Sequence, residues 1–333
     1  MMRRWIFWLG VSISAILLYF SLRGLELEAV WESIKQANFW WLLPGIAAYF
    51  IAVAVRTWRW SYLLRPFKRV PFGGLYETVV IGYMGNNVYP ARAGELVRSY
   101  VLRRDNGVPM AFSLATIFLE RLIDGIVMVA FVLIGLPNVP SLPTGARDIV
   151  LIAAGAFTVA VAVFFWMALA PSTAERIAAF VIARLVPHRL QAPLQTFANR
   201  FVQGARSLSR PTDLAAIVFS TALAWLIETV KYWFVMHAFS LNLPFTDLML
   251  LNGVSNLFTI IPSGPGYVGT FDAAGIGILT ALGVKQELAT SYTLVLHAVL
   301  WLPVTLLGAY FMLREGLKWT DFRKAEESVA VGK

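Results

Sequence analysis

Two short stretches of this chain carry residues able to do chemistry, and both interrupt apolar sequence. The first, at 82–98, reads GYMGNNVYPARAGELVR and gathers Asn86, Asn87, Pro90, Arg92, Gly94, Glu95 and Arg98. Pro90 removes a backbone donor and turns its neighbour out of helix, which places a hairpin tip close by. A helix restarting at about Ala93 would aim its first amides at that tip, which suits an anion. Arg92 could add a bidentate clamp on a phosphate or carboxylate. Gly94 permits close backbone approach. Glu95 and Arg98 share a helical face at i,i+3, so an internal pair that neutralises itself is the plain alternative.

The second stretch, at 252–272, reads NGVSNLFTIIPSGPGYVGTFD, and its Pro and Gly density is incompatible with a helix interior. Irregular backbone within hydrocarbon is tolerated only where protein covers it or it lines a wet cavity. Ser263 and free amides there suit a polar headgroup; a mere outer turn is the alternative. Asn87 and Asn256 occupy comparable places in the two stretches. Asp272 closes the second one.

Further ionisable residues lie inside apolar runs: Arg56 and Arg59, then Glu120, Arg121 and Asp124, then Glu228 and Lys231. Each costs about 2.5–3.5 kcal/mol at the centre of a spanning helix and needs a partner. Arg56, Arg59 or Arg92 are candidates for the carboxylates of Glu120 and Asp124. Glu228 and Lys231 can pair with each other at i,i+3. These groups form either a structural charge network or a site for a headgroup or a proton. His297 is alone in its run and reads as a packing histidine rather than a proton relay.

Much else is excluded. There is no nucleotide loop, nucleophile elbow, zinc motif or dinucleotide fingerprint. The chain has no Cys, and its 3 His lack metal spacing, so neither a cofactor nor a metal is expected. The net charge of +9 is spread over short loops, which fits anionic headgroups rather than nucleic acid.

The elements that position these residues follow from composition. Of 333 residues, 58% are hydrophobic and 14% charged, against roughly 25% charged in soluble domains. The expected fold is an all-α polytopic membrane protein, one transmembrane domain over 1–333. Apolar runs give about six full spans, at 5–22, 39–64, 109–134, 148–170, 213–239 and 287–313. Residues 23–38 read as an interfacial helix, with Asn38 as N-cap of the next helix. Residues 171–210 read as a cytoplasmic amphipathic segment. The segments 73–104 and 247–283 read as two re-entrant helical hairpins of opposite orientation; for the first, a full crossing is the alternative.

Charge counting favours the hairpin. With the N-terminus in the cytoplasm, 20 of the 28 Lys and Arg fall in cytoplasmic segments, as the positive-inside rule requires. The result is a possible inverted repeat: repeat 1 at about 39–134 and repeat 2 at about 213–313. Landmarks recur loosely (Arg56 with Glu228, Asn87 with Asn256, Pro90 with Pro262, Glu95 with Asp272, Glu120 with His297). Chance alignment of two helical halves is the alternative. Many transporters build a midplane site from two such interrupted segments.

The ordered motifs G-x-x-x-N-x-x-x-P-x-R-x-G-E-x-x-R (from Gly82), E-R-x-x-D (Glu120, Arg121, Asp124) and P-S-G-P-G-x-x-G-x-F-D (from Pro262) resemble the lysylphosphatidylglycerol synthase transmembrane-region, or flippase-like, family. The resemblance covers about 5 to 315. It implies an integral bacterial or archaeal membrane protein linked to translocation of aminoacylated phosphatidylglycerol, hopanoid-type lipids or polyprenyl-linked sugars. Tyr267 stands where the family often has Gly, and Asp272 where it often has Glu. The chain ends at Lys333 without a soluble aminoacyl-transferase domain, so it is expected to move a lipid rather than make one.

The expectation is a lipid translocase of the cytoplasmic membrane, with the bilayer and an anionic lipid headgroup as partners. Arg92, Arg56 and Arg59 would hold the headgroup, and Glu95, Glu120 and Asp124 would orient those arginines. The rival is a membrane-embedded component of a lipid glycosyl- or aminoacyl-transferase.

Overall fold

The computed structural model describes residues 2–89, 93–139, 171–188 and 211–317, with isolated positions between 155 and 195. Among them the secondary structure is helical and contains no strand. Pro90 and Arg92, most of the expected 148–170 span and most of the amphipathic segment beyond residue 188 lie outside the described residues.

Helix α1 (Met2–Leu22) turns by 86° into α2 (Leu27–Gln36), whose first turn carries Glu28 and whose last carries Lys35, matching the helix dipole. The Asn38 side chain accepts from Trp40 N at 3.2 Å, capping the short 3-10 turn that leads into α3 (Leu42–Leu64). Helix α4 (Phe72–Val88) and α5 (Ala93–Asn106) flank the first broken stretch, and the restart at Ala93 falls where Pro90 and Gly94 place it. Helix α6 (Met110–Gly135) follows, and α7 (Pro171–Leu185) opens the amphipathic segment. Helix α8 (Pro211–Ala238) and α9 (Phe245–Phe258) lead to the second stretch. That stretch is irregular from Thr259 to Gly269 apart from a single 3-10 turn, and α10 (Thr270–Ala281) and α11 (Gln286–Arg314) follow it.

Among the described residues three helices are long and apolar enough to cross a membrane, Phe39–Leu64, Thr212–Ala238 and Gln286–Arg314, and the bent α1–α2 pair makes a fourth if taken as one span. Helix α6 has 26 residues but carries Glu120, Arg121 and Asp124 on its course. Helices α4, α5, α9 and α10, of 17, 14, 14 and 12 residues, fall short of the about 20 a crossing needs.

Helices α3 and α8 form the central pair. The face of α3 turned inward is a single stripe: Tyr49, Ala52, Val53, Arg56, Arg59, Trp60 and Leu63 are all buried, the spacing of one side of a helix. Around this pair, α4 lies on α11 and α6 lies on α9. Both crossings are made close by a glycine. A Cβ at Gly135 of α6 would lie 2.5 Å from Leu250 of α9, and one at Gly308 of α11 would lie 2.5 Å from Met84 of α4. In hydrocarbon, where apolar side chains gain nothing over lipid, such close backbone contact is a main source of helix adhesion.

Candidate functional site

A cavity of about 190 Å³ sits at the centre of this arrangement, and both broken stretches reach it. Asn86 and Asn87 come from the end of α4, and Asn256, Gly266 and Tyr267 from the second stretch. Arg56, Arg121, Asp124 and Glu228 supply charge to its wall, and Tyr49, Tyr83, Trp225 and Trp301 supply rings.

Trp301 of α11 holds the two stretches together. Its Nε1 donates to the Asn87 carbonyl at 3.3 Å, and Asn87 Nδ2 returns bonds to Trp301 O at 3.2 Å and Thr305 Oγ1 at 2.9 Å. On its other side lies Gly266, at φ 68°, where a Cβ would come within 2.6 Å of the indole nitrogen. The glycine thus meets two demands, a left-handed backbone and the room for a ring. Tyr267, next in sequence, also takes a left-handed conformation, φ 62°. A tyrosine bears about 1–2 kcal/mol of strain at this φ.

The ionised residues form two buried clusters. In the first, Arg59 Nη1 donates to Asp124 Oδ1 at 2.5 Å and to Thr221 Oγ1 at 3.0 Å, and Nη2 lies 3.5 Å from Glu120 Oε1. Arg98 Nη1 donates to Glu120 Oε2 at 2.8 Å, and its guanidinium lies 3.4 Å from the centre of the Trp60 ring. Trp225 Nε1 adds a 2.8 Å bond to Asp124. Two guanidiniums and two carboxylates from α3, α5 and α6 therefore close a neutral set. In the second cluster, Glu228 takes Arg56 Nη1 on one oxygen at 2.5 Å and Lys231 Nζ on the other. Two cations share one carboxylate. Arg56 also lies 4.6 Å over the Trp225 ring, and Lys231 4.8 Å from that of Tyr49.

Arg121 differs from the other arginines. Its nearest carboxylate oxygens are at 3.5 Å (Asp124) and 3.9 Å (Glu95), its Nε is buried without a partner, and 32% of its side chain stays exposed. It faces the cavity without a hydrogen bond from the described residues.

The residues singled out from sequence therefore separate. Arg56, Asn87, Arg121, Asp124, Glu228 and Asn256 line the cavity. Arg59, Arg98, Glu120 and Lys231 stand behind it, sealed from solvent. Glu95 borders Arg121, at the long distance given above. The internal Glu95–Arg98 pair is replaced by the Arg98–Glu120 bond between helices, because that partner comes with the Trp60 ring on which the guanidinium stacks. Ser263 does not line the cavity. Its backbone packs on Gly10 of α1, and Ser14 of α1 accepts from Gly264 N at 2.9 Å and donates to Val268 O at 2.6 Å. Asp272 stays behind the wall; its Oδ2 accepts from Gly269 N at 2.9 Å and its Oδ1 lies 2.7 Å from His297 Nδ1.

His297 is thus a satisfied histidine, as expected, but not a lone one. Its Nε2 lies 2.8 Å from the Gly266 carbonyl, so one imidazole ties α10 to the second stretch. Sequence reasoning missed this, and missed Ser14 and the aromatic wall. Small residues four apart, Gly10 and Ser14, in an apolar run were the available signal for the α1 contact.

A family model described as the lysylphosphatidylglycerol synthase TM region matches residues 7–308. The chain belongs to this family. Relatives carry the name UPF0104 membrane protein. One from Methanothermobacter thermautotrophicus is 26% identical, the match covering 81% of this chain and 83% of the relative. Another from Pyrococcus horikoshii is 24% identical over 92% of this chain and 95% of the relative. The glycosyltransferase AglD of Haloferax volcanii is 25% identical over 80% of this chain, but only 48% of its own length. Membership makes the chain an integral multi-pass membrane protein.

Proposed function

We propose that this chain is a lipid translocase, moving a lipid with a polar or polyprenyl-linked headgroup across the cytoplasmic membrane while the hydrophobic chains stay in the bilayer. One observation carries the reading: both broken stretches and a partly unpaired set of charges converge on one cavity inside an apolar helix bundle. Charge and irregular backbone at such depth persist where they serve a polar path. The anion contact falls to Arg56 and Arg121, with Arg92 a further candidate. Arg59 and Arg98 act as structural cations.

The same reading places the N-terminus in the cytoplasm and counts six full spans and two re-entrant hairpins, α4–α5 and α9–α10. It treats residues 39–134 and 213–313 as inverted repeats that rock about the cavity. The packing supports this. Exchange α3 with α8, α4 with α9, α5 with α10 and α6 with α11, and the main contacts among these eight helices map onto themselves. Gly135 against Thr246 and Leu250 is then the counterpart of Gly308 against Val80 and Met84.

The test is reconstitution. Proteoliposomes carrying the full chain and fluorescent phosphatidylglycerol in both leaflets are treated with an impermeant quencher. Translocation takes quenching well past the outer-leaflet half, and Arg121→Gln returns it to half. Quenching that stops at half for the unaltered chain, across phosphatidylglycerol and polyprenyl lipids, defeats the reading. The relative named as a glycosyltransferase favours a second reading, a membrane-embedded component of a lipid glycosyl- or aminoacyl-transferase. Turnover of a sugar or aminoacyl donor by the purified chain is its signature.

A further inference from the structure

The cavity wall carries enough chemistry to narrow the ligand. This step rests on the reading of the cavity as a headgroup site, and three features bear on it.

The first is charge. The carboxylates in the wall are already committed: Asp124 to Arg59, and Glu228 to Arg56 and Lys231 together. The Glu228 cluster therefore has one positive charge beyond balance. Among the described residues Arg56, with five N–H groups, bonds to Glu228 alone, and Arg121 has no hydrogen bond. A buried surplus of cation calls for an anion. It also repels a headgroup that ends in an ammonium, although rings around a cavity would otherwise suit one.

The second is the amides. The Asn86 side chain makes no hydrogen bond among the described residues, and its Oδ1 is buried without a partner. Asn256 spends its Nδ2 on Asn252 and the Tyr232 hydroxyl and receives no donor at Oδ1. An unbonded amide at Asn86 and a free acceptor at Asn256 match hydroxyls, which both donate and accept. Tyr83, Trp225 and Tyr267 bring rings to the same wall, that of Trp225 with the Arg56 guanidinium over it.

The third is size. At about 190 Å³ the cavity is smaller than the roughly 300–1,000 Å³ of sites that enclose a drug-sized ligand. That is room for a single ring-sized headgroup.

We infer that the cavity takes a neutral polyol headgroup, one sugar-sized ring, on a singly charged phosphodiester. The phosphodiester sits at Arg56 and Arg121, the hydroxyls meet Asn86 and Asn256, and the ring face rests on the aromatic wall. Lys231 is a positioning residue: by sharing Glu228 it leaves Arg56 with charge to offer. A cationic aminoacyl headgroup is disfavoured by that same surplus.

The experiment is calorimetric titration of the purified full chain in amphipol with four soluble probes. These are dihexanoyl phosphatidylinositol, citronellyl phosphomannose, dihexanoyl phosphatidylcholine and octyl glucoside. Expected is binding of the first two, at least tenfold weaker binding of the third, and no heat from the fourth. A preference between the first two assigns the phosphodiester to a glycerolipid or an isoprenoid carrier. Lys231→Met lowers phosphatidylinositol affinity about tenfold and leaves phosphatidylcholine unchanged, and Lys231→Arg restores it. The probe order in the unaltered chain serves if Lys231→Met does not fold. Phosphatidylcholine binding as tightly as phosphatidylinositol overturns the inference, as does unchanged phosphatidylinositol affinity in folded Arg121→Gln. The two proposals fail separately. If the probe order holds but no lipid crosses in proteoliposomes, translocation is wrong and the ligand class stands. If labelled phosphatidylcholine crosses faster than phosphatidylinositol, the ligand class is wrong and translocation stands.

Discussion

The two broken stretches face one cavity but are held there by different physics. The first is anchored by side chains: Arg59, Arg98, Glu120 and Asp124 close an ionic set directly behind it. The second is anchored largely through its backbone. Ser14 of α1 bonds at Gly264 and Val268, His297 bonds at Gly266, and Asp272 bonds at Gly269 N. An interrupted helix in a low-dielectric medium must satisfy the amides and carbonyls it frees. Helix α5 restarts within a few residues and frees few of them, so ionic side chains can do the fixing. The second stretch runs without regular helix from Thr259 to Gly269 and needs partners along its length. Stability should therefore depend on charge pairing in one half and on neutral hydrogen bonds in the other.

The contrast can be broken most severely at Glu120. Glu120→Ala leaves Arg98 without a carboxylate in a dry site, a loss of about 3–5 kcal/mol. The expected outcome is a large fall in melting temperature in detergent, with Glu120→Gln losing less. A loss below 1 kcal/mol would mean that the ionic set is not what anchors the first stretch. Next is Gly94→Ala. The added Cβ would overlap the Gly82 carbonyl and reach within 2.5 Å of Asn86 N. Overpacking of this kind costs about 1–3 kcal/mol, whereas Gly277→Ala, with no atom within 4 Å, should be neutral or mildly stabilising.

Ser14→Ala probes the other half and sharpens the comparison. It strips a donor and an acceptor from the second stretch and should cost about 1–3 kcal/mol. Because Ser14 is remote in its bonding from Glu120, the double substitution should be additive to within about 0.5 kcal/mol. A larger coupling would show that the halves are not held independently. The smallest effect is expected at Tyr267→Gly, where relief of the left-handed strain, about 1–2 kcal/mol, is offset by lost ring contacts and by unfolded-state entropy. The net change should stay within about 1 kcal/mol, read as a shift in thermal midpoint.

Much of this arrangement was readable beforehand, where local rules dominate. The restart at Ala93, the cap at Asn38, the Glu228–Lys231 pair and the irregular run around Pro262 all follow from neighbours a few residues apart. The contacts that were missed are those between distant segments. Arg98 had a partner within reach on its own helix, Glu95, and nothing local reveals that Glu120 arrives with a ring beside it. His297 looked isolated because Asp272 is 25 residues away and on another helix. The aromatic wall gave no signal, since 12 Trp and 11 Tyr are scattered through the chain. The six spans and the repeat rest on counting and pattern, and the described residues hold three or four helices long and apolar enough to cross a membrane.

The contact between α1 and the second stretch has a consequence for biosynthesis. Ser14 leaves the ribosome 250 residues before the Gly264 amide it will accept from. At about 5–20 residues per second the wait is roughly 12–50 s. During that interval the first helix sits in the lipid with its hydroxyl unmatched and its glycine notch at Gly10 unfilled. It cannot serve as the seed of assembly; it is a latch that closes after the later half of the chain has arrived.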